Sequence, residues 1–154
     1  MNHPLHASCV EKNGQGILLR GPAGSGKSSF ALSLINRGFN LVGDDQIVLV
    51  KQANRLIAKP AEALKGLLEV RGLGIIELTF SDSCEIAYVI DLVPCSERMP
   101  ENRHVEIDGP PIRAFSIDPQ DPWAVEKVFI LLHSNFQGFY EESHIPHFAL
   151  AGEK

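Results

Sequence analysis

Residues 21–28 read Gly-Pro-Ala-Gly-Ser-Gly-Lys-Ser and fill every fixed position of the pattern G-x-x-x-x-G-K-[S/T]. No other feature constrains the fold as tightly, because such a loop joins a strand to a helix. The flanks agree. Gly16–Arg20 (GILLR) predicts a short buried strand. Ser28–Arg37 predicts a helix with Phe30, Leu34 and Ile35 near one face, and Gly38 supplies its left-handed stop. Gly24 and Gly26 let the backbone curl so that successive N–H groups point inward, and the helix adds its partial positive charge. A loop of this kind cradles phosphates. Gly21, Pro22, Ala23, Gly24, Ser25, Gly26, Lys27 and Ser28 are its residues. Lys27 is expected to reach β- and γ-phosphates and Ser28 to place its hydroxyl on Mg²⁺, so ATP with Mg²⁺ is the expected ligand.

Length and composition bound the rest. A chain of 154 residues, 44% hydrophobic, suits one domain with one core. A formal charge of −5 argues against non-specific binding to nucleic acid, which needs basic patches. No apolar run reaches the ~20 residues that a spanning helix requires, and MNHPLHASCV lacks the form of a signal peptide. Cys9, Cys84 and Cys95 are odd in number without CxxC spacing, as expected of reduced thiols in a cytoplasmic protein.

Strands are expected at Leu5–Val10, Asn40–Val42, Gly74–Phe80, Glu85–Val93 and Ile112–Ile117. Asn13-Gly14 and Ala53-Asn54 mark hairpin turns, the second between Gln46–Lys51 and Arg55–Lys59. Pro60–Leu67 is expected to hold a turn or two of helix. Asp121-Pro122 opens a last helix reaching about Asn135, with Trp123, Phe129 and Leu132 in the core. The expected architecture is α/β, a P-loop kinase-type fold with a mixed sheet flanked by few helices. Residues 1–136 form the catalytic domain, and residues 137–154 a mobile tail. In that tail Glu141-Glu142 reads as a solvated run. The pair His144 and His147 is too poor in further ligands for a metal.

Asp44 and Asp45 close the strand after the P-loop helix, where ligands of open α/β sheets bind. Adjacent like charges raise one pKa unless a cation neutralises them, which a Mg²⁺-nucleotide would do. One carboxylate could then accept a proton from an attacking hydroxyl. A helix cap or a solvated turn is the alternative reading of the pair. EVRGLG, taken alone, reads as a strand, a turn and a strand.

Taken together, His6, GPAGSGKSS, INRGFNLVGDDQ and LLEVRGLGIIEL resemble the HPr kinase/phosphorylase family in order and spacing. Leu68–Glu77 (LEVRGLGIIE) is similar to that family's own signature and is the most specific match. The resemblance covers about residues 5–93, weakens through 94–135 and is absent beyond. It implies an ATP-dependent kinase that phosphorylates a serine of HPr, the phosphocarrier of the sugar phosphotransferase system. It also implies the reverse, phosphate-dependent removal of that phosphate. By the same resemblance His6, Lys27, Asp44 and Arg98 are catalytic, with Asp44 taking the serine proton. Ser28 and Glu69 hold Mg²⁺. Asp45, Arg71, Gly72 and Gly74 support the site, with the two glycines turning the backbone close to it. The family further implies a homo-oligomer, a hexamer.

The chain also departs from that family. It resembles the shorter members that consist of the catalytic domain alone. Ser29 stands where Glu is common after Gly-Lys-Ser, and SIDPQDP at residues 116–122 replaces a segment of PVRPGRN type, without its Arg. Two other functions fit a P-loop chain: a nucleotide-sensing module that binds ATP but transfers nothing, and a small-molecule kinase. The presence of His6, Asp44, Glu69 and Arg98 favours catalysis over sensing, and LEVRGLGII disfavours the small-molecule kinase.

Overall fold

The computed structural model describes residues 4–94, 98 and 100–133. The 137–154 tail with its Glu141-Glu142 and His144/His147 readings, the end of the last helix and Cys95 lie outside the described residues.

Eleven strands are seen among the described residues: β1 (Pro4–Leu5), β2 (Ser8–Lys12), β3 (Gln15–Arg20), β4 (Asn40–Gly43), β5 (Ile47–Gln52), β6 (Arg55–Pro60), β7 (Leu67–Val70), β8 (Gly74–Glu77), β9 (Cys84–Leu92), β10 (His104–Val105) and β11 (Ile112–Ile117). Two α-helices accompany them, α1 (Lys27–Ile35) and α2 (Ala124–His133), with one 3₁₀ turn at Glu62–Leu64. The main sheet runs β1-β5-β6-β9-β3-β2-β4, with β11 added beside β9 and β10 beside β11. Only β3–β9 and β9–β11 are parallel among its strand pairs. This is the mixed α/β sheet with few helices that the sequence leads one to expect.

Period-two alternation builds two cores on the two sheet faces. Cys9, Leu18 and Val89 join β5 and β6 residues such as Leu49 and Leu56 in one cluster. Their neighbours Val10, Ile17, Leu19 and Ile90 join Phe30 and Leu34 of α1 and Val128 of α2 in the other. The central strands are buried on both faces, which is why they read as unbroken apolar runs. The helices cover one face, and the sheet's own antiparallel strands close over the other.

Several boundaries differ from expectation. The run Leu5–Val10 splits: β1 pairs with β5, while β2 pairs with β3 and β4. The chain thus changes partner at His6-Ala7. The strand expected at Gly74–Phe80 ends at Glu77, and Phe80 makes only an isolated bridge to Leu41. Trp123 is not core; it is 66% exposed. Helix α2 packs through Ala124, Val128 and Leu131, a spacing of four and three, and Trp123 lies one residue off that stripe. Phe129 and Leu132 do pack partly buried, Phe129 edge-on to Phe39 at 5.4 Å. Asp121 accepts the Trp123 backbone N–H at 2.8 Å, as the capping reading requires.

Two carboxylates, Glu11 buried and Asp91 half-buried, hold strand ends together. Glu11 accepts from Ser81 Oγ, Asn40 Nδ2 and Gly14 N at 2.6–2.9 Å. Burial alone would raise its pKa, but these donors outweigh burial and hold the carboxyl below its ordinary range. Asp91 on β9 takes both Arg20, at 2.8 and 3.1 Å, and Arg103, at 2.9 Å. Burial again opposes, and the two guanidinium groups prevail, so its pKa is lowered. Since Arg20 directly precedes Gly21, this bidentate pair clamps the strand from which the phosphate loop springs.

Two outcomes are expected. Ile90 is fully buried in β9 between two parallel neighbours. Ile90→Ala should therefore cost about 2–5 kcal/mol, read from the shift in denaturant midpoint. The lowered pKa of Asp91 means that its stabilisation is complete above the unfolded value of ~3.9 and is lost as pH falls through the lower folded value. Asp91→Asn should lower stability at neutral pH and flatten the loss of stability on acidification, measured by denaturation from about pH 6 to about pH 3.

Candidate active site

Strands β3, β9 and β11 are parallel, so their carboxyl ends share one edge of the sheet. The glycine-rich loop leaves β3 at that edge and returns as α1. Gly24 (φ +82°) and Gly26 (φ +97°) both hold left-handed backbone, which a residue with a Cβ enters at a cost. A Cβ at Gly24 would meet open space, so it is the backbone conformation rather than crowding that calls for glycine there. Gly26 is the N-cap of α1 and brings no side chain to the first-turn N–H groups. Those donors remain for a ligand, the arrangement that binds phosphate at a helix start. Lys27 is buried and folded across the loop, its Nζ donating to Gly21 O at 2.8 Å and Pro22 O at 3.2 Å. An ammonium has three N–H donors, so one is left to aim at the cradle. Ser25 Oγ is buried against Gly21 with no hydrogen-bond partner among the described residues.

A cavity of about 330 Å³ opens over the loop. His6, Lys27, Ser28, Asp44, Asp45, Glu69 and Arg71 all line it. Chain segments far apart in sequence therefore converge where the residue readings place them together. Ala23, Gly24 and Gly26 line the cavity floor, and Ser29 also faces it. Gly72 (φ +90°) and Gly74 (φ +110°) stand outside the lining; they turn the β7–β8 hairpin that carries Glu69 and Arg71 inward. Arg98 is exposed and is not among the described residues that line the cavity.

The two adjacent aspartates face opposite ways. Asp44 is buried, 6% exposed, and turned in on the loop. Its Oδ1 accepts from Ser8 Oγ at 2.6 Å and Ser28 Oγ at 2.8 Å, and its Oδ2 lies 3.0 Å from Ser28 Oγ and 3.5 Å from the Glu69 N–H. Asp45 is turned out to the mouth. Its side chain is 61% exposed, and its Oδ1 lies 3.1 Å from His6 Nδ1. The reversal comes from the backbone. The Gln46 N–H donates to Asp44 O at 2.8 Å, closing a three-residue turn with Asp45 at φ +71° in its centre. That γ-type turn is strained, and strain of this kind clusters at functional sites.

The oxygen ligands fit a hard cation. Ser28 Oγ and the Glu69 carboxylate could offer oxygen, as Mg²⁺ prefers, with Asp44 behind Ser28. Among the described residues no group of three or more His, Cys, Asp or Glu is placed to hold a metal by itself. A metal that keeps its waters and shares phosphate oxygens suits such a partial set. Sequence reasoning missed Ser8. Its signal was faint: a small polar residue in an apolar strand, two positions after His6.

Comparison with known proteins bears on the chain's family and fold. The family model described as the HPr Serine kinase C-terminal domain matches residues 1–106. An HPr kinase/phosphorylase of Mycoplasma genitalium is 38% identical over 101 residues, 61% of this chain and 32% of that protein. One from Clostridium beijerinckii is 47% identical over 75 residues, 49% of this chain and 25% of that protein. This chain thus spans about a third or less of the length of these curated relatives. Among solved structures, the Hpr(Ser) kinase/phosphatase of Coxiella burnetii superposes with a TM-score of 0.73 at 27% identity, covering 84% of this chain and 88% of that one. With a family model spanning residues 1–106, most of its length, the chain belongs to the HPr serine kinase C-terminal domain family.

Proposed function

We propose that the chain is an ATP- and Mg²⁺-dependent kinase that phosphorylates a serine of HPr, the phosphocarrier of the sugar phosphotransferase system. The observation that carries this reading is the pair of adjacent carboxylates facing opposite ways about one phosphate cradle. Such a division suits phosphoryl transfer, which needs charge neutralisation on one side of the phosphorus and a proton acceptor on the other.

The cradle N–H groups and Lys27 would grip the β- and γ-phosphates. Ser28, backed by Asp44, and Glu69 would hold Mg²⁺. Bound there, the metal would supply positive charge against the charge that develops during transfer. The resemblance to the family placed the serine proton on Asp44. We read Asp45 as the acceptor instead: Asp44 is buried and accepts from Ser8 and Ser28, whereas the exposed Asp45 would be open to an incoming hydroxyl. Asp45 would accept the hydroxyl proton while His6 fixes its carboxylate. Arg71, on the hairpin rim, would steady charge on the moving group. Arg98 and the reverse, phosphate-dependent reaction belong to the same proposal, as do a cytoplasmic location and a homo-oligomeric assembly. No described helix is long and apolar enough to cross a membrane.

Purified protein, HPr and γ-labelled ATP with Mg²⁺ test the reading. Label on a serine of HPr is expected. ATP binding with no transfer after prolonged incubation would leave a nucleotide-sensing module instead, and label on small hydroxyl compounds in preference to HPr would make it a small-molecule kinase. Asp45→Asn should lower transfer by about 10²–10⁴-fold with ATP affinity retained. Lys27→Ala should abolish ATP binding in a calorimetric titration while the circular dichroism spectrum stays native; unchanged affinity would refute the cradle.

A further inference from the structure

Ser8 is fully buried, yet it is one of only four buried polar or charged side chains among the described residues, with Glu11, Lys27 and Asp44. Two of the other three belong to the phosphate site. Its Oγ donates to Asp44 Oδ1 at 2.6 Å, the shortest contact that this carboxylate makes. The backbone arranges the meeting. Strands β2 and β4 pair Glu11 with Asn40 and Val10 with Leu41, but Cys9 with Gly43, so β4 carries one extra residue there. An unbroken ladder would set Ser8 beside Gly43; the shift makes Asp44 the next position opposite it. Gly43 is fitted to this bend, since a Cβ on it would lie 2.6 Å from Ile47 Cδ1.

We propose that Ser8 is a positioning residue for the metal, acting through Asp44 on Ser28; this rests on the nucleotide-binding reading given above. A serine hydroxyl has one proton and two lone pairs. For Ser28 to offer a lone pair to a cation, its proton must point elsewhere, and Asp44 is the acceptor within reach at 2.8 and 3.0 Å. That acceptor works only if the carboxylate keeps its orientation. The Ser8 hydroxyl pins Oδ1 from behind and stops rotation about the Cβ–Cγ bond. Ser8 lies in the cavity wall, but it is fully buried and its only hydroxyl proton goes to Asp44, so it acts on a nucleotide through that carboxylate. Its effect therefore falls on the metal-dependent part of binding and spares the contacts that the loop N–H groups and Lys27 make with phosphate.

Calorimetric titration with ATP, with and without Mg²⁺, reads these parts separately. Ser8→Ala should leave metal-free ATP affinity within about twofold of the unaltered protein and reduce the gain in affinity on adding Mg²⁺ by about tenfold. Ser8→Thr keeps the hydroxyl and should restore most of that gain. Thermal denaturation checks that each variant is folded over the titration range. A Ser8→Ala protein with the full Mg²⁺-dependent gain would overturn the proposal. So would an equal loss with and without metal, which would mean that the hydroxyl merely supports the cradle. If the unaltered protein binds ATP in neither condition, the nucleotide-binding reading has failed, an outcome distinct from either of these.

Discussion

The site depends on one buried carboxylate. Among the described residues the partners of Asp44 are the hydroxyls of Ser8 and Ser28 and the distant Glu69 N–H, with no cation against it. Burying an anion is costly unless donors replace its water. Here the donors come from β2, from α1 and from β7, so the satisfaction of one side chain on the end of β4 requires that three other elements be in place. The nearest buried cation among the described residues, Lys27, gives two of its three donors to carbonyl oxygens of its own loop. Two opposite charges thus sit close to one cradle without neutralising each other directly. A metal and a polyphosphate would complete both.

The sheet makes this arrangement possible because it is mixed. Parallel β3, β9 and β11 bring their carboxyl ends to one edge, where Arg20, Asp91 and Arg103 tie β3 to β9 beside the loop. The antiparallel strands then carry other parts to the same edge. β2 begins there with Ser8, just after His6, and β4 ends there, just before Asp44 and Asp45. The small β7–β8 hairpin stands apart from the main sheet and reaches over the cavity with Glu69 and Arg71. A two-stranded hairpin is marginal alone, and its tip shows Leu73 77% and Ile75 69% exposed. Its base is held by buried Leu68 and by the Leu78 N–H, which donates to Gly66 O at 2.7 Å.

Much of this was legible in the residues. The strand before the loop, the helix after it, the Gly38 stop, the Asn13-Gly14 turn and Ile112–Ile117 follow from local chemistry, and each appears within a residue or two of its expected place. Local chemistry was silent where tertiary pairing decided. Nothing in PLHASCV marks the change of partner between β1 and β2, since both halves are equally fit for a strand. Trp123 was expected in the core with Phe129 and Leu132, but position on the helix wheel governs burial, and its neighbour Ala124 took the inward place. The convergence of His6, the loop, the aspartates and Glu69 was legible only through the family's order and spacing, because no local rule links residue 6 to residue 69.

The division of labour between Asp44 and Asp45 marks the limit of such reading most sharply. Two identical side chains in adjacent positions carry the same chemistry, so sequence can nominate the pair but not order it. In an ordinary strand they would point to opposite faces of the sheet, one into a core and one away from it. Here the strand has just ended, and a single left-handed residue sets the outcome. With Asp45 at φ +71°, the chain reverses within three residues and aims one carboxylate at Ser28 and the other at His6. Aspartate tolerates that backbone better than most residues, which suits its place at the turn's centre as well as its place in the chemistry. The strained turn and the register shift at Gly43 are therefore parts of one device. The shift delivers Asp44 to Ser8 and the loop, and the turn then swings its neighbour out to where a substrate hydroxyl would arrive.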